Sequence, residues 1–351
     1  MRLCHNAIAV LFAAALTLSA QTPPQNPAPQ GPPLNVDRDP VRSPEGNAPA
    51  PPQAGQSLQK EGGQYVLHQE VEEVVLNATV LDSSGHLVQN LTKNDFQVYE
   101  DGTKQNIISV QHTDLPVSIA LVVDNSGSMS RKRPAVNKSA LDLIEASNPQ
   151  DEAFVVNFSD EAFIDQDFTS DINKLRDGLS HIESRGGTAL YDAVVASADK
   201  LAADAKHPKQ VLVLITDGED NASTLNLEQT IHRVQMLSGP EIYSIGLLFG
   251  DEMSRAEVRH ARRALEMLST ETGGIAFFPK NVEQVDQIAA EVAQDIRSQY
   301  TIGYHSTKAS NIPGFRRIEV VATENGKKLN VRTRTGYFPQ PMTTRKHAGR
   351  E

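Results

Sequence analysis

The chain has 351 residues, 39% of them hydrophobic and 22% charged, which allows two domains with sizeable cores and argues against disorder throughout. Lys and Arg number 33 against 44 Asp and Glu, a net charge of −11 with no long basic block. That balance argues against a nucleic-acid interface, which needs clustered cations against phosphate, and favours encounters with cations or basic partners.

Residues 1–20 read as a secretory signal peptide: Arg2 precedes the apolar run from Ala7 to Leu18, and Ser19 and Ala20 supply small residues at the cleavage site. The run is shorter than the ~20 residues a membrane span requires, and no second candidate follows, so no transmembrane span is expected after cleavage. Cys4, the single cysteine, leaves with the signal. A disulfide-free exported chain of this size fits a bacterial envelope, periplasmic or extracellular. Residues 21–60 read as a disordered, Pro-rich stalk, since 11 of the 20 prolines fall between 21 and 56 with almost no large apolar residue among them. Fully polyproline-like, that stretch reaches roughly 110 Å at about 3.1 Å per residue.

From residue 65 to 114 the pattern has a period of two. Val74, Leu76, Ala78 and Val80 alternate before an Asp82-Ser83-Ser84-Gly85 turn. Phe96 and Val98 then lead into Asp101-Gly102, a hairpin dipeptide, with Ile107 and Val110 expected on its far side. Between 116 and 299, apolar β-branched runs alternate with helical periods. Val117 to Val123, Ala153 to Phe158, Val211 to Ile215, Ile242 to Phe249 and Ile275 to Phe278 predict strands covered on both faces. One helix is framed by a Ser254/Glu257 capping box and closed by Gly273-Gly274, and another carries Val282, Val285, Ala289, Val292 and Ile296 on one stripe. This alternation predicts an α/β domain with a doubly wound, mostly parallel sheet. From 300 to 338 the period returns to two, through Ile302 and Tyr304, then Ile318, Val320 and Ala322 to an Asn325-Gly326 turn and out along Leu329 and Val331. Two or three strands alone bury too little to be stable. Both β flanks are therefore expected to join into one small β-sandwich with the α/β domain inserted between them, leaving residues 339–351 as a tail.

The first apolar strand ends in Asp124-Asn125-Ser126-Gly127-Ser128, which sets a carboxylate and two hydroxyls at i, i+2 and i+4. The carboxyl ends of parallel strands are where open α/β sheets bind ligands. Asp217 follows another such strand, and Thr188 follows Arg185-Gly186-Gly187 just before a predicted helix. All five donors are hard oxygens with no His or Cys among them, which selects Mg²⁺ (or Mn²⁺ or Ca²⁺) rather than zinc or copper. Arg131-Lys132-Arg133 beside the motif reads as a solvated approach to a helix, or as a basic patch that steers acidic ligands.

These residues resemble the metal-ion-dependent adhesion site of von Willebrand factor type A domains. The flanks LTKNDFQVYEDG, ETGGIAFFP, YTIGYHS and VRTRTGYF are similar to exported proteins related to that domain in Acidobacteria. The resemblance spans residues 65–338. It implies a divalent-cation-dependent, adhesion-type binding module rather than an enzyme, with Ser126, Ser128 and Thr188 as direct ligands and Asp124 and Asp217 acting through water. An open metal position would then capture the Asp or Glu of a protein partner. Two other functions are weighed against it: a Mg²⁺-dependent phosphohydrolase using Asp124 or Ser126 as nucleophile, and a metal-free envelope scaffold. The enzyme has little support, because no P-loop, His-Glu-x-x-His or Gly-x-Ser-x-Gly motif is present and His181 and His207 fall in or beside helical segments.

Overall fold

The computed structural model describes residues 73–339 apart from 147, 181–183, 238 and 250–252. Upstream it describes only the backbone of four short strands, β1 (Pro33–Val36), β2 (Asp39–Arg42), β3 (Gln59–Glu61) and β4 (Gln64–Val66). The expected signal peptide, the rest of the stalk, His181 and residues 340–351 of the tail lie outside the described residues.

The first flank contributes β5 (Glu73–Leu81), β6 (Phe96–Glu100), β7 (Thr103–Lys104) and β8 (Asn106–Gln111). The insert follows as β9 (Val117–Asp124), α1 (Arg133–Glu145), β10 (Glu152–Phe158), β11 (Ala162–Thr169), α2 (Ile172–Ser180), α3 (Leu190–Asp204) and β12 (Lys209–Thr216). It continues through α4 (Leu227–Met236), β13 (Glu241–Gly246), α5 (Arg255–Thr272), β14 (Ala276–Phe277) and α6 (Val285–Arg297). The second flank supplies β15 (Tyr300–His305), β16 (Arg316–Glu324), β17 (Lys327–Lys328), β18 (Asn330–Arg332) and β19 (Gly336–Tyr337).

The insert's strands run β14-β13-β12-β9-β10-β11, parallel from β14 to β10 and antiparallel between β10 and β11, and the upstream β1 and β2 follow at the β11 edge of the same sheet. Successive side chains of a strand point to opposite faces, and here both faces are covered. Ile119, Leu121 and Val123 pack against α1, α2 and α6, whereas Ala120 and Val122 pack against α3, α4 and α5. That double covering is why these strands read as continuous apolar runs. β11 was not anticipated: its Asp165-Gln166-Asp167 stretch is polar because the strand has a solvent-facing side. The strand expected to run to Phe249 ends at Gly246, and Leu247 to Phe249 leave the sheet beside the end of β12, with the Leu247 N–H on Thr216 O at 2.8 Å. The α5 caps are as expected, with Ser254 and Glu257 bonded reciprocally and Gly273 at φ 97°.

The two flanks do form one sandwich. One sheet runs β18-β5-β15-β8 and the other runs β17-β16-β6-β7 with β19 also on β16. They share a single core containing Leu76, Val80, Phe96, Val98, Tyr300, Ile302, Tyr304 and Ile318. Arg297 and Asp114, at the exit from and the approach to the insert, meet at 2.7 Å, so the insert leaves and re-enters the sandwich at one place. Both expected hairpins turn as predicted, with positive φ at Asp101, Gly102, Asn325 and Gly326. Their far arms, however, last only two residues before the chain crosses to the opposite sheet. After β7 the buried Gln105 bonds Val98 O through its N–H, and Ile107 enters the core from the other sheet; β18 does the same after β17. A two-residue turn sets the pairing next to it, but not the partner of the strand beyond.

Candidate functional site

β9 is the switch point of the large sheet, since the chain crosses from it to β10 on one side and later to β12 on the other. The loops after β9 and β12 therefore diverge over a crevice. Asp124 is the last residue of β9 and is wholly buried. Its Oδ1 accepts the Ser126 N–H at 2.7 Å and its Oδ2 accepts the Thr216 hydroxyl at 2.6 Å. This ties the tight turn at 124–126 to the end of β12.

Ser126 starts the short 3₁₀ turn Gly127–Arg131 with extended backbone. Its Oγ lies 3.2 Å from Ser128 Oγ, and the Ser128 hydroxyl donates to Asp217 Oδ1 at 2.8 Å. Thr188 is held by its backbone, donating N–H to Asn221 Oδ1 at 2.9 Å and accepting the Asn221 N–H at 3.0 Å. Its Oγ1 stands 3.4 Å from where a Cβ on Gly218 would sit. Of the two preceding glycines, Gly186 is required by its φ of +82°, and a Cβ on Gly187 would push aside Asn221 Oδ1 at 2.7 Å and Asp160 Oδ1 at 2.8 Å, the oxygens that accept the Thr188 and Gly187 N–H groups. The structure thus brings Asp124, Ser126, Ser128 and Asp217 into one chain of contacts and sets Thr188 beside the Asp217-Gly218 turn.

A pocket of about 270 Å³ opens onto this group, lined by Ser128, Lys132, Thr188, Asp217, Leu248 and Phe249 among others. Asp124 lies behind that wall. Asn221 and Asp160 were not singled out in the sequence, and Thr216 was read only as the end of the strand before Asp217. Each acts by orienting a neighbour across a long sequence gap, which no local pattern signals.

The basic run departs from its sequence reading. Only Arg131 is exposed. Lys132 pairs with Asp217 at 2.7 Å, while Arg133 is buried and donates to Asn157 Oδ1 at 2.7 Å. Burial pulls the Arg133 guanidinium down to about 10. His207 bonds Gln150 O at 2.9 Å and precedes β12, at the opposite end of the sheet from the site.

Burial pushes the Asp124 carboxyl up to about 6, against the lowering effect of the Thr216 and Ser126 bonds. A carboxyl raised in the folded state contributes stability below its unfolded value, and that contribution is lost as pH rises through 6. In metal-free buffer the wild type should therefore lose stability relative to Asp124→Asn between pH 4 and 7.5, by about 2 kcal/mol for a rise of this size. Denaturation midpoints of both proteins in chelator at the two pH values check this, and a pH-independent gap would contradict it.

Residues 119–219 match the von Willebrand factor type A domain model. Inter-alpha-trypsin inhibitor heavy chain H4 of Homo sapiens is 25% identical over 218 residues, covering 57% of this chain and 22% of its own length. The Bos taurus protein of that name is 22% identical over 218 residues, covering 56% and 23%. The chain thus spans less than a quarter of the length of these relatives. Among solved structures, a von Willebrand factor type A protein from Catenulispora acidiphila is similar at 13% identity over 75% of this chain and 72% of that one, with a TM-score of 0.45. The pilus adhesin SpaC from Lactobacillus rhamnosus GG in its open conformation is similar at 12% identity over 72% and 49%, with a TM-score of 0.44. The stretch that matches the von Willebrand factor type A domain model runs from β9 through the Asp217-Gly218 turn, inside the insert.

Proposed function

We propose that the chain is an exported, divalent-cation-dependent binding module that captures an acidic group of a protein partner. The observation that carries this reading is the run of oxygens from the buried Ser126 Oγ through Ser128 Oγ to Asp217, at 3.2 and 2.8 Å, of which Ser128 and Asp217 line an open pocket together with Thr188. The donor set fits Mg²⁺, because it is hard oxygen throughout and rich in short hydroxyls. The Ser126, Ser128 and Thr188 hydroxyls would hold the ion, and Asp124 and Asp217 would act through bound water. When bound, the ion supplies a coordination position that a partner's Asp or Glu can take.

The rim supports strict cation dependence. Glu219, Asp220 and Glu257 line the pocket with Asp217, so an acidic ligand meets repulsion until a divalent cation reverses the local sign. Binding is favoured over phosphoryl transfer because both Asp124 oxygens already accept hydrogen bonds and the carboxyl lies behind the pocket wall. Export rests on the reading of residues 1–20. Among the described residues no helix is long and apolar enough to cross a membrane.

Calorimetric titration of Mg²⁺ and Mn²⁺ into the protein tests the site. We expect saturable binding that is lost in a folded Ser126→Ala/Ser128→Ala variant, and a melting temperature that rises with metal in the wild type only. Equal heats from the two proteins would remove the metal and leave a scaffold.

A further inference from the structure

Lys132 closes the 3₁₀ turn Gly127–Arg131, its N–H on Met129 O at 2.8 Å, and precedes α1. Its side chain turns inward. The ammonium sits 2.7 Å from Asp217 Oδ2 and 5.2 Å from the centroid of the Phe249 ring, with the side chain only 12% exposed and that of Asp217 fully covered. Asp217 Oδ1 already accepts the Ser128 hydroxyl. Both oxygens of this carboxylate are thus engaged, one of them by the chain's own cation.

A buried carboxylate without a counter-charge is strongly unfavourable, and Asp217 shares its surroundings with Asp124. The lysine removes that penalty in the metal-free protein. A divalent ion held by Ser126, Ser128 and Thr188 would do the same for Asp217, but two cations beside one carboxylate repel each other. Lys132 has a flexible stem and lines an open pocket, so its ammonium can withdraw into solvent.

We propose that Lys132 is an internal counter-ion that a divalent cation must displace from Asp217, so that this one residue sets the cation concentration at which the site fills. The inference rests on the metal-binding reading above and adds a residue of opposite sign to the ligand set. Two effects of opposite direction follow. Removing the ammonium should destabilise the metal-free protein, by exposing Asp217 to its own desolvation, and should strengthen metal binding.

The test titrates MgCl₂ into the full chain and into Lys132→Met, with the Ser126→Ala/Ser128→Ala variant as reference. Lys132→Met should bind at least tenfold more tightly than wild type. Its melting temperature should lie below wild type in chelator and gain more on Mg²⁺ saturation. In the wild type, acylation of the Lys132 amine followed by mass spectrometry should speed up when Mg²⁺ is added, because the ammonium leaves its buried pair. Unchanged or weaker affinity in Lys132→Met, with wild-type binding intact, overturns the counter-ion role and spares the metal site. Absence of binding in both overturns the metal site and this inference with it.

Discussion

Cutting the chain after residue 299 should abolish all slow hydrogen exchange in residues 73–111 while leaving the α/β insert folded. The C-terminal flank supplies the inner strands of the sandwich. β15 lies between β5 and β8, with Ile302 opposite Leu76 on one side and Val110 on the other, and β16 carries β6, β17 and β19. Without them β5 and β8 have no mutual pairing to fall back on, and Leu76, Val80, Phe96 and Val98 lose Tyr300, Ile302, Tyr304 and Ile318 from their core. Isolated strands of this kind are not stable in water. The two cores of the insert draw on no residue beyond Ile296, so β9, β10 and β12 should keep their protection. The insert should still soften, since Arg332 of β18 pairs with Asp295, which also accepts the Tyr243 hydroxyl at 2.6 Å. Exchange measured by mass spectrometry decides it: protection persisting in 73–111 would mean that the first flank folds without the second.

Gly274→Ala should cost about 4 kcal/mol, near the upper end for a single substitution. A Cβ there would stand 2.1 Å from Ile242 O and 2.6 Å from Ile242 C. Both atoms are backbone of β13, buried in the sheet, so no side chain can swing aside. The strand must move, and with it the Ser244 N–H on Ile275 O at 3.1 Å that holds β14. Gly85→Ala is the control: its φ of +84° is strained for alanine, but nothing lies within 4 Å, so the cost should stay near ~1 kcal/mol. Urea midpoints of the two variants measure the difference. Equal midpoints would mean that close approach at Gly274 carries no weight.

The reach of local pattern is visible in particular elements. β9, β10, β12 and β13 were legible because burial on both faces makes their middles almost continuously apolar, as in Ile119 to Val123 and Val211 to Ile215, with polar residues mainly at the strand ends. α5 was legible because its caps are set by residues three apart and by one glycine at its end. β11 was not, because a strand with one solvent face and alternating acids resembles a loop. The five candidate residues were legible because Asp124, Ser126 and Ser128 share one turn, and because Thr188 and Asp217 sit at loop positions that glycines mark.

Within the chain itself, the sequence determined the periodicities, the turns at Asp101-Gly102 and Asn325-Gly326, the caps of α5 and the oxygen chemistry of the five candidate residues. Each of these is decided by residues within a few positions of one another. Tertiary structure alone decided which strands pair, where the hairpin arms change sheets, and what the basic run does. Lys132 and Asp217 are 85 residues apart, and their pairing exists only because β9 and β12 lie side by side. A charge that looked solvated becomes the counter-ion of the site because burial belongs to the packed chain, not to the residue.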